Sequence, residues 1–477
     1  MLYSYMSLSQ KHSKEKFMPT NNITQELKVG DRFPLTIKRI GINGEGIGFF
    51  KHVIVFVPKA VPEDIIVCEL TDVHERFLNG RIHKIRKPSR FRNPDTPELA
   101  AEVGGLEFAH INYKDQLHFK SNILRESLEK YKPYAHEKYM IKPTVSSVQQ
   151  EKYRNKAQFP IQEIDGEIRC GLYKTGTQEL VDLTEMPTQM DLTMSAMRKI
   201  VQMIKDLKIP VFNPENKSGI LSMIVIRESV EFNQLQVTFI TRSPKFIKEH
   251  QLIERIQKEI PEVSSISQNI NKEDKAGVWG DETKLLWGDE YLQEDINGYT
   301  FNFSPRAFLQ LNSLQTDKLY DLVGQALEPN QRDVLLDAYC GVGTIGITMA
   351  DKVKQIYGIE IIPEAIEDAK ENAKLNDVDN AEYYVGSADV IYPQLLEDGK
   401  TVNAVVVDPP RTGLDNKLIA ALNRNPVNKL VYVSCNPSTL AKDLVTLTKE
   451  YRVIYLQPVD MFPQTPHVET IVKLVRR

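Results

Sequence analysis

Four short apolar runs in the last third of the chain stop abruptly at residues able to bind or react, and this pattern limits the possible folds more than any other feature. Val334-Leu335-Leu336-Asp337-Ala338-Tyr339 leads into Cys340-Gly341-Val342-Gly343-Thr344-Ile345-Gly346. Gln355-Ile356-Tyr357-Gly358-Ile359 ends at Glu360, and Ala404-Val405-Val406-Val407 ends at Asp408-Pro409-Pro410-Arg411. Leu430-Val431-Tyr432-Val433-Ser434 ends at Cys435-Asn436-Pro437. Runs this short, rich in β-branched and aromatic residues, suit buried parallel strands better than helices. Helical stretches alternate with them (363–375 and 438–447), and Pro363 suits the first turn of the former. The pattern predicts an α/β fold with a doubly wound parallel sheet. Such sheets bind ligands at the carboxyl ends of their strands. Tyr339, Glu360, Asp408 and Cys435 are therefore expected to converge on one cleft.

The glycine segment Gly341-x-Gly343-x-x-Gly346 matches the dinucleotide fingerprint, and Glu360 falls about where a ribose-binding acid belongs. Nicotinamide cofactors and S-adenosylmethionine both carry an adenosine with free hydroxyls, so the segment indicates an adenosine cofactor and little more. Asp408-Pro-Pro-Arg discriminates better. Two successive prolines give up two backbone donors and stiffen the loop, holding the Asp408 carboxylate rigidly at the strand tip. Such a turn suits a grip on a planar heterocycle, and hydride transfer has no need of it. The plainer alternative is a proline-terminated strand with a surface acid. Cys435, one of four cysteines, reads either as a nucleophile or as a small buried hydrophobe, the commoner use of free cysteine.

Taken together, Ser434-Cys435-Asn436-Pro437, Asp408-Pro-Pro-Arg411, Phe303-Ser304-Pro305-Arg306-Ala307-Phe308-Leu309-Gln310-Leu311-Asn312 and His467-Val468-Glu469-Thr470 resemble the signature segments of RNA (uracil-5-)-methyltransferases. The resemblance spans essentially residues 24 to 477, with the segments in the family's order. It implies S-adenosylmethionine as cofactor and 5-methyluridine in ribosomal or transfer RNA as product. It makes Cys435 the nucleophile and Glu469 the base, where the residue alone would read as a solvated acid before a last strand. It matches Gln310, Tyr339, Glu360 and Asp408, with the loop glycines Gly341 and Gly343, to cofactor- and base-binding positions. The residue types suit the chemistry. Carbon 5 of uracil is too weak a nucleophile for unaided methylation, and a thiolate adding to carbon 6 converts the ring to an enolate. A carboxylate must then remove the proton from carbon 5.

The net charge of −4 looks wrong for an RNA enzyme until its distribution is read. Arg81, Lys84, Arg86, Lys87, Arg90 and Arg92 crowd one stretch without an acid, just after a small β-rich module with a glycine-rich turn, Gly41-Ile-Asn-Gly-Glu-Gly-Ile-Gly. That module resembles the TRAM domain, an OB-like barrel, and barrels of this kind track phosphates with a positive groove. The expected organisation is a tail over 1–23, a TRAM barrel over 24–87, a central α+β domain over 88–298 and a Rossmann-like methyltransferase domain over 299–477. Leu117, Leu124, Leu128 and Tyr131, like Met197, Val201 and Ile204, recur at the spacing of core-facing helices. Tyr153-Arg154-Asn155-Lys156 resembles a family segment near the RNA.

One departure from the family is plain. Many relatives hold an iron–sulphur cluster on a Cys-x5-Cys-Gly-Gly-Cys segment and a later cysteine. Here Glu102-Val103-Gly104-Gly105-Leu106 and Met186 stand in those places, and Cys68 and Cys170 lie elsewhere, so no metal is expected. No run approaches a membrane span, the first residues (Met1 to Asn22, with Met18 a possible start) lack the apolar core of a signal peptide, and four scattered cysteines fit a reducing cytoplasm. Since transfer-RNA members commonly lack the barrel, 23S ribosomal RNA is the expected substrate. A transfer-RNA enzyme, or a non-catalytic RNA-binding factor with a vestigial methyltransferase fold, is the alternative.

Overall fold

The computed structural model describes residues 26–272 and 277–477. The expected tail over 1–23 lies outside the described residues. The chain divides into two compact units. The first holds residues 26–119 with 277–278 and 464–466, and the second holds 120–272, 279–463 and 467–477.

In the first unit, Arg32–Ile40, Gly46–Phe50, Val53–Val57, Ile65–Val73 and Phe77–Lys87 close into a five-stranded barrel. Alternation along the strands sends Leu35, Ile37, Val55, Val57, Ile66, Cys68 and Leu78 inward as its core. The turn glycines are used for close approach: a Cβ at Gly46 would lie 2.4 Å from the Ala60 carbonyl oxygen. Among the described residues the last strand pairs beyond Asn79 only with Ile65–Val73, so its basic end, 81–87, has one edge unpaired by them.

The second unit carries two seven-stranded sheets. One runs Glu282–Gly288, Val263–Ile270, Gln234–Thr241, Leu221–Ser229, Lys156–Ile164, Glu167–Tyr173 and Leu180–Asp182. Helices Asp191–Leu207 and Glu249–Glu259 pack on it, and Met194, Met197 and Met203 are buried as packing residues. The other runs Ala381–Val385, Gln355–Glu360, Val334–Ala338, Ala404–Val407, Lys429–Ser434, Glu469–Arg476 and Tyr451–Val459. Its first five strands are parallel, and Glu469–Arg476 is antiparallel to both its neighbours. Strand order reverses direction between Val334–Ala338 and Ala404–Val407, which opens the crevice where such sheets take ligands. The segment after the glycines makes only the short helix Thr344–Ile347, whereas Pro363–Leu375 and Pro437–Leu447 are full helices with proline in the first turn.

Of the positions that replace the family's cluster cysteines, Val103, Leu106 and Met186 are all buried apolar side chains. Among the described residues no group of three or more His, Cys, Asp or Glu is arranged to hold a metal ion, and no helix is long and apolar enough to cross a membrane.

Candidate active site

Each residue singled out at a strand end lies at the carboxyl edge of the parallel sheet. Val334–Ala338 ends one residue before Tyr339, which takes a left-handed φ of +71°. That conformation is strained for a tyrosine and is kept only where the surroundings fix it. The Tyr339 and Cys340 amides both donate to the Ile359 carbonyl, closing the turn onto the next strand. Gly341 and Gly343 have φ of +55° and +87°, and a Cβ at Gly341 would meet nothing within 4 Å, so the loop is open on that side. Glu360 bridges the two strand tips. Its Oε1 accepts from the Ile361 and Ile362 amides at 2.8 and 3.1 Å, and its Oε2 accepts from the Gly341 amide at 3.3 Å. Ile361 and Ile362 themselves stand 66% and 50% exposed, an apolar surface beside the carboxylate. A held acid, an open glycine turn and an uncovered apolar shelf together fit an adenosine, with the carboxylate toward ribose hydroxyls.

Gln310, 7% exposed, lies on the segment 304–312. Buried Arg227 organises that segment, its Nη1 donating to the Ser304 carbonyl at 3.1 Å and its Nη2 to the Ala307 carbonyl. Asn155 Nδ2 donates to the Gln310 carbonyl at 2.9 Å. Asn312 then caps the helix Ser313–Leu327 by accepting from the Gln315 amide, a usual role for Asn at that position.

The remaining residues meet where the antiparallel strand enters the sheet. Pairing of Lys429–Ser434 with Glu469–Arg476 ends at Ser434 opposite Thr470. Continued by one residue, that register sets Cys435 opposite Glu469, as cross-strand neighbours. Cys435 is partly buried and Glu469 is only 4% exposed. Asp408 caps the strand beside them, since Ala404–Val407 pairs in parallel with Lys429–Ser434. Here sequence spacing alone could not have joined Cys435 to Glu469, thirty-four residues later.

Three carboxylates crowd this edge with little to compensate them. Burial first, then the neighbouring Asp337, pushes Asp408 up to about 7. Burial and then Asp408 push Glu469 up to about 8, with Arg411 opposing. Burial, Glu469 and Asp408 push the Cys435 thiol up to about 12, and Arg411 again opposes. Asp337 was passed over in the sequence because it reads as one residue of an apolar strand. It is 1% exposed; its Oδ2 accepts from the Gly346 amide at 2.8 Å, and its Oδ1 has no hydrogen-bond partner. An acid interrupting an otherwise aliphatic strand just before a glycine turn was the available signal. Asp443, which accepts from the Leu414 amide and the Tyr432 hydroxyl at 2.8 Å each, left no such signal, since helix Pro437–Leu447 has other polar residues.

The basic stretch is less free than the sequence suggests. Arg81 pairs with Glu69, Arg90 with Glu63 at 3.2 Å and Arg92 with the fully buried Asp64 at 2.7 Å. Glu69 comes from the paired strand and Glu63 and Asp64 from the loop before it, so acids absent from the stretch itself are supplied in three dimensions. Lys84, Arg86 and Lys87 are exposed and have no carboxylate partner among the described residues.

Comparison with known proteins identifies the family. Residues 112–477 match the family model described as tRNA (uracil-5-)-methyltransferase, and residues 26–83 match the TRAM domain. An uncharacterized RNA methyltransferase of Lactiplantibacillus plantarum is 46% identical over 475 residues, covering 100% of this chain and 98% of that one. Another from Enterococcus faecalis is 42% identical over 456 residues, covering 95% and 100%. Among solved structures, the Pyrococcus abyssi tRNA (uracil-54, C5)-methyltransferase in complex with S-adenosyl-L-homocysteine is 29% identical, with a TM-score of 0.73 over 93% of this chain and 100% of that one. The chain thus belongs to the tRNA (uracil-5-)-methyltransferase family, as an S-adenosylmethionine-dependent RNA methyltransferase with a TRAM domain.

Proposed function

We propose that the chain methylates carbon 5 of a uridine in RNA through a covalent adduct of Cys435, with 23S ribosomal RNA as substrate. The observation that carries the chemistry is the pairing that ends at Ser434 opposite Thr470 and leads Cys435 and Glu469 to one edge beside Asp408, where both carboxylates act on the thiol. Cys435 as thiolate adds to carbon 6 of the uracil, and the electron pair of the 5,6 double bond moves into an enolate on the oxygen of the carbon-4 carbonyl. Asp408 binds the polar edge of the ring while that charge develops. S-adenosylmethionine, held by Gln310, Tyr339, Glu360 and the Gly341–Gly343 turn, supplies an electrophilic methyl group. Once carbon 5 carries the methyl group, Glu469 removes its proton, and the returning electron pair expels the Cys435 thiolate. A Glu469 carboxyl lifted to about 8 by its surroundings is well matched to that proton.

Support for the RNA class comes from the barrel, where Lys84, Arg86 and Lys87 offer unpaired positive charge to a phosphate backbone. The substrate has a second reading, because a tRNA enzyme aligns over 93% of this chain and the barrel therefore does not by itself separate the two RNAs. The deciding measurement is the count of 5-methyluridine, by mass spectrometry, in purified ribosomal and transfer RNA from a strain lacking the gene. Loss from 23S RNA alone supports the ribosomal assignment. Loss from transfer RNA alone transfers the activity there, and no loss anywhere overturns the reaction.

A further inference from the structure

The Cys435 thiol sits among carboxylates, yet its chemistry requires the thiolate, so something at the site must favour negative charge on sulfur. One cation is tied to both ends of the reacting pair. Arg411 follows Asp408-Pro409-Pro410, and its carbonyl accepts from Asn436 Nδ2 at 2.9 Å and from Thr439 Oγ1 at 3.3 Å. Asn436 is the residue next to Cys435 and also caps the helix Pro437–Leu447. At its other end, the Arg411 Nη2 approaches His467 Nε2 at 3.5 Å, two residues before Glu469. Burial lowers His467 to about 4, so this ring is a neutral neighbour near pH 7 and does not repel the guanidinium.

The loop that carries Arg411 is latched from below. Asp443, on the same helix, accepts from the Leu414 amide at 2.8 Å and from the Tyr432 hydroxyl at 2.8 Å. Gly413 makes this approach possible: its φ is +81°, and a Cβ there would lie 2.5 Å from Asp443 Oδ2 and 3.0 Å from the Thr439 Cβ. Tyr432 belongs to the strand that ends at Ser434. A single carboxylate therefore joins the proline loop, the strand before Cys435 and the helix after it.

We infer that Arg411 is the cation that stabilises the Cys435 thiolate, and that Asp443, with Asn436 and Thr439, is the latch that positions it. The thiol proton leaves to solvent, the sulfur keeps its electron pair, and the guanidinium, which cannot be deprotonated in a protein, supplies a fixed opposing charge. The helix beginning at Pro437 adds its positive end to the same sulfur. The loop is thereby bifunctional, with the carboxylate of Asp408 directed to the base and the guanidinium of Arg411 to the nucleophile. The proposal rests on Cys435 being the nucleophile of the proposed reaction.

The test is the pH dependence of Cys435 alkylation by iodoacetamide in the full-length protein without RNA, read at the Cys435 peptide by mass spectrometry, with C435A as the blank. Arg411→Gln should move the alkylation midpoint up by about one unit or more, an opposite charge being worth roughly 1–3 units, and slow labelling about tenfold at a fixed pH below it. Arg411→Lys should recover part of the shift. Asp443→Asn, which leaves the cation in place but loosens its loop, should move the midpoint the same way by less. An unchanged alkylation profile in Arg411→Gln, with RNA affinity reduced instead, would make Arg411 a phosphate-binding residue and overturn the proposal. Should C435A retain methyl transfer, the reaction itself fails, and the alkylation profile still reports separately on Arg411.

Discussion

The barrel and the cleft hold charge in opposite ways. On the barrel, positive side chains lie on the surface, and three of the six in the basic stretch are neutralised by acids from neighbouring segments. In the cleft, Asp337 and Glu469 are buried and Asp408 is half-buried, and the Arg411 guanidinium opposes the shifts of Glu469 and Cys435. Surface charge is screened and redistributes easily, so each group contributes modestly to a long-range attraction. Charge held in a low-dielectric cleft interacts strongly and shifts protonation by several units. Affinity is thus expected to reside in many weak groups on one region and chemistry in a few strong ones on the other.

The largest test of that division is Cys435→Ala. It should abolish methyl transfer, by at least about a thousandfold as nucleophile removals do, and abolish the covalent adduct with RNA carrying 5-fluorouridine. Its affinity for RNA should stay within a factor of a few. Retained turnover would remove the nucleophile from the mechanism. Glu469→Gln comes next: addition and methylation proceed while proton removal stalls, so denaturing gels should show a protein–RNA adduct with ordinary uridine. Normal turnover in this variant would make Glu469 a structural acid.

On the barrel the expected effects are smaller and of another kind. Replacing Lys84, Arg86 and Lys87 together by alanine should weaken RNA binding and lower the slope of log K against log salt by roughly 0.7–0.9 for each phosphate no longer neutralised. The rate at saturating RNA should hardly change. Equal affinity and slope in the triple variant would break the comparison, because the barrel's free cations would then do nothing for RNA. Arg92→Ala makes the contrast within the barrel itself. It leaves the fully buried Asp64 with the Val61 and Ser89 amides but no opposite charge, and should cost about 3 kcal/mol of stability, measured by denaturant unfolding. A loss of RNA affinity without a loss of stability would show that Arg92 faces RNA instead.

The smallest effect is one of pH. Asp408 and Glu469 are raised above their ordinary range, so the folded protein holds protons that the unfolded chain has released. The stability these groups contribute is present at low pH and is lost as pH rises from about 4 to about 8, while the base becomes competent over the upper part of the same range. Asp408→Asn removes the charge that repels Glu469 and should flatten the decline, which thermal unfolding at several pH values would reveal. An undiminished decline would place the coupling elsewhere.

Much of this molecule was legible in sequence because its parallel strands are short, aliphatic and punctuated. Val334–Ala338, Gln355–Glu360, Ala404–Val407 and Lys429–Ser434 announce themselves by composition, and their last residues had to fall on one edge once the sheet was parallel. The motif order then brought Cys435, Asp408, Glu360 and Glu469 into view as candidates. Sequence also determined the helices Pro363–Leu375 and Pro437–Leu447, since proline and capping act locally.

Only the tertiary structure decided which charges are free and which are spent. Glu63, Asp64 and Glu69 reach the basic stretch through loop placement and antiparallel pairing. Glu469 reaches Cys435 because a strand is inserted antiparallel to the one carrying the cysteine. Asp443 reaches Gly413 because a glycine leaves room for it across thirty residues of chain. Local composition fixes backbone conformation, whose energetics span a few residues. Electrostatics and hydrogen bonding depend on distance in space, which the order of residues does not contain.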